Sequence, residues 1–333
     1  VAALTLLAAG AALGVGLGTG APTLAPLARF ERPPHDGQHI SGNQAAVRWF
    51  NMPDSVAVYG TQYVLPSRGT IIILHGLGAH NTIALQTGDS LRRVTGMNIL
   101  FLDLRGNGRS GGARGRIGHD TQYADDLAPV VRELKRANPS GPVLLVGVRQ
   151  GAGTALAFAS RVREPEPEQP NVQGIALVDP ILTRDSVLAA GTLDGGPFQW
   201  HTSRLATQQL LNVAGLHIAD RLPVAYQRVQ HPDGPTTRSF SWRAIRTLLP
   251  NDPWAIANDA PLPVLLITRA SSADAPLRRT DRHEVESVPS DAPLFSPMTW
   301  RIFERWTAQF SADAAPAKTI LPYVQVPLTD TTR

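Results

Sequence analysis

The sequence predicts a doubly wound α/β fold with a mostly parallel central sheet, and three observations carry that expectation. Five short segments are almost continuously apolar: 70–74 (TIIIL), 98–103 (NILFLD), 142–146 (PVLLV), 173–178 (QGIALV) and 263–268 (PVLLIT). Runs without polar alternation suit parallel strands covered on both faces. Helical periodicity stands between and after them. Leu127, Val130, Val131 and Leu134 recur at i, i+3, i+4 and i+7 behind a capping candidate at Asp120, and Ile302, Phe303, Trp306 and Phe310 follow the same rule. Finally, 333 residues that are 43% hydrophobic and 17% charged can bury a sizeable core, which excludes a disordered chain.

In chain order, residues 1–28 carry no charge and begin VAALTLLAAGAALGVGLG, long enough for a single N-terminal membrane span or the apolar part of a signal segment. Each small-x-small site there is followed by proline, which favours an uncleaved anchor, so a membrane-anchored or exported protein is expected. A strand-like segment at 56–65 precedes the first apolar run, and the first part of the core is expected over 45–180. The proline- and acid-rich stretch 164–170 (EPEPEQP) reads as a surface connection. More than eighty residues separate Val178 from Pro263, too many for a plain connection, so 181–262 is expected to be an inserted helical lid. It has helical patterns at 205–216 and 242–249. Its aromatics Phe198, Trp200 and Trp254 either roof an apolar pocket or form the insertion's own core. The core resumes over 263–310, with a last strand at 284–288, and 311–333 reads as a tail.

Charge and composition remove several functions. The 31 basic residues against 27 acidic ones give +4, and all but Lys135 and Lys318 of the basic residues are arginine. These arginines are scattered and not interleaved with aromatics, which argues against nucleic-acid binding. With no cysteine, disulfides, thiolate metal sites and cysteine nucleophiles are excluded. His75 and His80 have no second ligand at metal spacing, so neither a metal nor another cofactor is expected.

The loops after the strands carry the chemistry, because ligands of open α/β sheets sit beyond the carboxyl ends of the strands. They read His75-Gly76-Leu77-Gly78, then Asp103-Leu104-Arg105-Gly106-Asn107-Gly108-Arg109-Ser110, then Gly147-Val148-Arg149-Gln150-Gly151. Their order and context resemble the α/β-hydrolase superfamily, in its lysophospholipase, monoacylglycerol-lipase-like and serine-aminopeptidase-like branch, over roughly 56–310. That branch shows an HG turn, a D-x-R-G-x-G-x-S loop and a G-x-S-x-G nucleophile elbow. The resemblance implies an ester or lipid hydrolase with a Ser-acid-His triad and backbone oxyanion donors, here at Leu77 and Gln150.

The chain departs from that pattern twice. Gly147, Gly151 and Gly153 supply the close approaches an elbow needs, but Arg149 stands where the family carries serine. A guanidinium stays protonated and offers no lone pair to a carbonyl, so no acyl-enzyme forms there. Asp274 is the candidate acid. The family's histidine position is occupied by Pro293, and His283 precedes the last strand, at the wrong end of the sheet.

The expectation is a catalytically degenerate protein. It would bind an amphiphilic or anionic, lipid-like ligand through Arg149, His75 and His80, with the membrane reached through its N-terminal segment. His75 also reads as the structural histidine of the HG turn, and His80 as a residue at the pocket mouth. Competing with the pocket is a scaffold kept for shape, with Arg149 paired to a carboxylate such as Asp103. Asp103 and Arg105 are expected to close their loop as an ion pair, and Asp179 could replace a displaced acid only if a histidine were present. Two alternatives remain: a working hydrolase in which His80 or His119 activates water directly, and a dinucleotide-binding oxidoreductase built on Gly76-x-Gly78 and Asp103. Asn81, where a third glycine is required, weakens the latter.

Overall fold

The computed structural model describes residues 45–64, 69–78, 84–161, 171–189, 192–193, 196–231, 234–269, 277–291 and 293–310, together with Gly14 and Gly18. His80, Asp274, the 164–170 connection, the 311–333 tail and nearly all of 1–28 lie outside the described residues. Among the described residues no helix is long and apolar enough to cross a membrane.

The main sheet has eight strands in the order β1-β2-β4-β3-β5-β6-β11-β12. They are β1 (Ala45–Asn51), β2 (Ala57–Tyr63), β3 (Thr70–Leu74), β4 (Asn98–Leu102), β5 (Val143–Val148), β6 (Gly174–Val178), β11 (Val264–Arg269) and β12 (His283–Val288). β2 runs antiparallel to β1 and to β4, and the remaining pairs are parallel. The five apolar runs are thus the five inner parallel strands. Each is apolar throughout because successive side chains point to opposite faces and both faces are covered. In β3, Ile72 and Leu74 join one core, with Leu127, Val131 and Leu156 from α2 (Gln122–Ala137) and α3 (Gly151–Ala159). Ile71 and Ile73 join the other, with Leu91 of α1 (Ala84–Thr95) and Phe303 and Trp306 of α8 (Pro297–Ala308).

α2 bears out the periodic pattern, with Leu127, Val130, Val131 and Leu134 buried. Its N-cap is Thr121 rather than Asp120; Asp120 instead meets Arg243 and Arg246 of the insertion. The Thr121 side chain caps no backbone N–H but donates to Asp125 Oδ2 at 2.7 Å.

The insertion between β6 and β11 is not purely helical. It holds α4 (Arg184–Ala189), α5 (Thr202–Val213), α6 (Trp242–Thr247) and α7 (Pro253–Asn258). It also carries a four-stranded antiparallel sheet, β10-β9-β8-β7, over Gly234–Ser241, Pro223–His231, Gly196–Trp200 and Thr192–Leu193. The long β9–β10 hairpin escaped sequence reading because GPTTRSFS is mostly polar and Gln227, Arg228, Gln230 and His231 interrupt PVAYQRVQH, leaving a weak apolar alternation. Phe198 and Trp200 meet edge to face at 5.0 Å; Phe198 belongs to the main core, and Trp200 and Trp254 pack against it partly buried, so these aromatics join the insertion to that core.

Candidate functional site

The elbow forms as the glycine spacing predicts. β5 ends at Val148, Arg149 takes φ +51°, and Gln150 returns to helical geometry as the N-cap of α3. A left-handed conformation at a bulky residue is strained, and the surroundings hold it in place. Arg149 N–H donates to Val178 C=O at 2.9 Å, while its own C=O accepts from Ala152 and Ile181 N–H. A Cβ on Gly147 would lie 2.3 Å from Ala152 Cα, and one on Gly151 2.3 Å from Leu74 C=O. The sharp turn exists only because these positions lack side chains.

The guanidinium at this position lies at the carboxyl ends of the strands. Its Nη1 stands 3.5 Å from Asp179 Oδ2, a loose pair in which both side chains are about a fifth exposed. Asp179 follows β6 and is itself left-handed, with φ +45° and its N–H bonded to Ile267 C=O at 2.7 Å. Arg269, the last residue of β11, brings its Nε to 3.3 Å from the same carboxylate oxygen and donates from Nη1 to Ser290 C=O at 2.6 Å. The ends of β5, β6, β11 and the loop after β12 are thereby tied into one polar cluster.

Neither Arg269 nor its link to Asp179 was singled out from the sequence; the arginine ending the fifth apolar run was the available signal. The carboxylate facing Arg149 among the described residues is Asp179 rather than Asp103. Asp103 turns away to accept from Arg109 N–H at 2.9 Å.

The turn expected to offer oxyanion donors is bonded from within. Leu77 N–H donates to Gln150 Oε1 at 3.3 Å, with Leu77 and Gln150 both almost fully buried. Gln150 Nε2 is buried beside it with no hydrogen-bond partner. Of the two backbone donors expected from position, the one on Leu77 is therefore already taken by the side chain of the other residue. Above it, Arg238 of β10 donates to Gly78 C=O at 3.0 Å and fastens the insertion to the same turn.

The described histidines are placed elsewhere. His75 uses both ring nitrogens on the backbone: Nε2 accepts from Leu104 N–H at 2.9 Å, which leaves Nδ1–H to donate to Gly76 C=O at 2.6 Å. His119 is exposed and turns to Thr121 and Asp125. His201 caps α5. His283 opens β12 opposite Val264, at the amino end of the parallel strands and away from the elbow. Pro293 stands exposed in the loop after β12.

The D-x-R-G-x-G-x-S loop is structural. Ser110 Oγ donates to Asp103 C=O and accepts from Tyr59 N–H, and a Cβ on Gly108 would lie 2.1 Å from Asp103 Oδ2. The expected Asp103–Arg105 ion pair does not form. Arg105 binds Asp126 through Nε at 2.8 Å and Nη2 at 2.7 Å, and Asp54 through Nη1 at 2.6 Å. Loop closure keeps Asp103's Oδ2 on Arg109 N–H, while the fork geometry of a guanidinium suits two carboxylates at once. These bonds hold Asp54 below the usual carboxylate range and raise the Arg105 pKa further. Among the described residues no cluster of His, Asp and Glu could hold a metal ion.

Comparison with known proteins agrees with this architecture. The sequence profile of the family described as serine aminopeptidase, S33, matches residues 66–268. A monoacylglycerol lipase of Mycolicibacterium smegmatis is 28% identical over 98 residues, which span 28% of this chain and 33% of the lipase. The fold matches a soluble variant of monoglyceride lipase from Saccharomyces cerevisiae with a TM-score of 0.54 at 13% identity, covering 83% of this chain and 98% of that one. Est1E from Butyrivibrio proteoclasticus gives a TM-score of 0.54 at 13% identity, covering 78% and 98%. At such identities these structures establish the α/β-hydrolase fold and nothing finer.

Proposed function

The chain belongs to the serine aminopeptidase S33 family of lipase- and esterase-like α/β-hydrolases, and from that membership and the residues at its elbow we propose that it has ceased to hydrolyse esters and holds an amphiphile with an anionic end. The observation that carries the reading is the pairing of changes in one turn. Arg149 occupies the left-handed position of the nucleophile, and Gln150 Oε1 covers the Leu77 N–H that would face an oxyanion. Acyl transfer needs an attacking oxygen, a base to take its proton and free donors for the developing negative charge. A permanently protonated guanidinium supplies none of the first, and His75, the described histidine that follows directly on a parallel strand, has both ring nitrogens on backbone groups and is not placed to supply the second.

What remains suits binding. Arg149 is a cation at the carboxyl end of the sheet, and the insertion, packed onto the core, is fastened to the neighbouring HG turn by Arg238. A carboxylate or phosphate would compete with Asp179 for Arg149, and the apolar part of the ligand would lie under the insertion. The charge-free segment 1–28 would bring the domain to the membranes that hold such ligands. A scaffold role with an empty site is the second reading, favoured by Asp179's hold on Arg149.

Two measurements test this. The full chain, treated with a fluorophosphonate probe and with short and long p-nitrophenyl esters, is expected to show no labelling and no turnover above that of Arg149→Ala. Labelling, or turnover that Arg149→Ala lowers, would restore a hydrolase. In thermal melts, fatty acids or lysophospholipids are expected to raise the Tm, by about 2.7 kcal/mol of stabilisation at a hundred times Kd. Arg149→Gln should abolish that shift. No shift with any anionic amphiphile would leave only the scaffold.

A further inference from the structure

Two arginines from different strands close on one carboxylate at the carboxyl end of the sheet. Arg149 Nη1 lies 3.5 Å and Arg269 Nε 3.3 Å from the same atom, Asp179 Oδ2. Both contacts are longer than the spacing of about 2.7–2.9 Å that charge-assisted bonds reach when the partners are free to approach. The backbones beneath explain the gap. Arg149 and Asp179 are left-handed, at φ +51° and +45°, and their N–H groups are bonded to Val178 C=O at 2.9 Å and Ile267 C=O at 2.7 Å. Arg269 ends β11 and donates from Nη1 to Ser290 C=O at 2.6 Å, which ties it to the loop after β12. Asp179 is a short side chain on a pinned backbone, so its carboxylate stands off from both guanidiniums.

The same three residues are open to solutes. The side chains of Arg149 and Asp179 are each 21% exposed and that of Arg269 33%. A carboxylate has two oxygens, and each can accept from one of two guanidiniums that already share an anion. One that arrives from solution is not bound to the Asp179 backbone and can settle at full bonding distance from both.

We infer that Arg269 is the second half of the anion seat: the carboxylate of a long-chain acid replaces that of Asp179 between Arg149 and Arg269. Asp179 is then an internal stand-in that fills the seat when no ligand is bound. This rests on the ligand-binding reading above and narrows it, because the seat already holds a head group of carboxylate size and shape. It also separates that reading from the scaffold. In a scaffold Asp179 is a permanent partner, and removing its charge gives no gain in binding.

The test measures binding of decanoate to the full chain by titration calorimetry, with decanol as its uncharged counterpart. Asp179→Asn keeps the side chain's shape and places a residue type that tolerates the left-handed region. It is expected to bind decanoate about tenfold more tightly, the effect of removing one like charge at close range. Arg269→Gln is expected to weaken decanoate about tenfold, as Arg149→Gln does, with decanol binding unchanged in every variant. Ligand-free melts show which variants are folded, and if Arg269→Gln is not, the gain in Asp179→Asn decides. Decanoate binding that depends on Arg149 but not on Arg269 would overturn the inference and leave the ligand-binding reading standing. So would an Asp179→Asn variant that binds decanoate no better than the native chain. Equal losses of decanoate and decanol in Arg269→Gln would give Arg269 a structural role only, against the inference. Failure of decanoate to bind any variant would remove both readings together.

Discussion

Gly153→Ala separates local propensity from tertiary packing at the elbow helix. Gly153 is the third residue of α3, and on helix propensity alone alanine there would stabilise by about 1 kcal/mol. The packing opposes this. A Cβ at 153 would lie 1.9 Å from Leu248 C=O, 2.7 Å from its carbonyl carbon and 3.0 Å from Pro250 Cδ. Leu248 is the buried C-cap of α6, with its own N–H bonded to Ile245 C=O at 3.0 Å, so no flexible side-chain end can yield. Relief requires α3 to move by about an ångström from the insertion, an overpacking cost of about 3 kcal/mol. The net loss is about 2 kcal/mol, a fall in Tm of about 4–8 °C for a domain of this size. Scanning calorimetry of the full chain reads it directly. An unchanged or raised Tm would refute the claim that the insertion rests on the elbow helix.

Arg105→Gln should destabilise by about 3–5 kcal/mol in urea denaturation, because it leaves the Asp126 carboxylate buried without its cation; a loss below 1 kcal/mol would mean the Arg105 network is dispensable. His283→Leu should be neutral or stabilise by about 1 kcal/mol in the same assay, since both ring nitrogens of His283 are buried without hydrogen-bond partners; a large loss would reveal a bond the imidazole makes. Acid should weaken the fold, because the Asp54 pKa is lowered, first by the hydrogen bond from Arg105. The Asp89 pKa is also lowered: burial alone would raise it, but bonds from Arg92 and Arg93 outweigh that. For a carboxylate with a depressed folded pKa, the stability is present above the unfolded value and is lost as pH falls through the folded one. The Tm should therefore drop from about pH 5 downward, and Asp54→Asn should flatten part of that dependence.

Much of the fold was legible because its strands are buried on both faces. TIIIL, NILFLD, PVLLV, QGIALV and PVLLIT left no polar positions to confuse the period, and each became an inner parallel strand. The elbow was legible for a steric reason, since glycines at 147, 151 and 153 are needed wherever three backbones crowd one turn. The β9–β10 hairpin was not, because its strands offer a core face too sparse to read. The pairing of Arg105 with Asp54 and Asp126, rather than Asp103, joins residues 51 and 21 positions apart and follows no local pattern.

The residue types alone decided which chemistry the elbow can perform, because a guanidinium lacks a nucleophilic lone pair in any fold. Only the tertiary structure decided where that guanidinium points, which carboxylate holds it, and that Gln150 turns back onto Leu77. Those outcomes depend on which strand ends the sheet order brings together, and β5, β6 and β11 are neighbours in space while lying far apart along the chain.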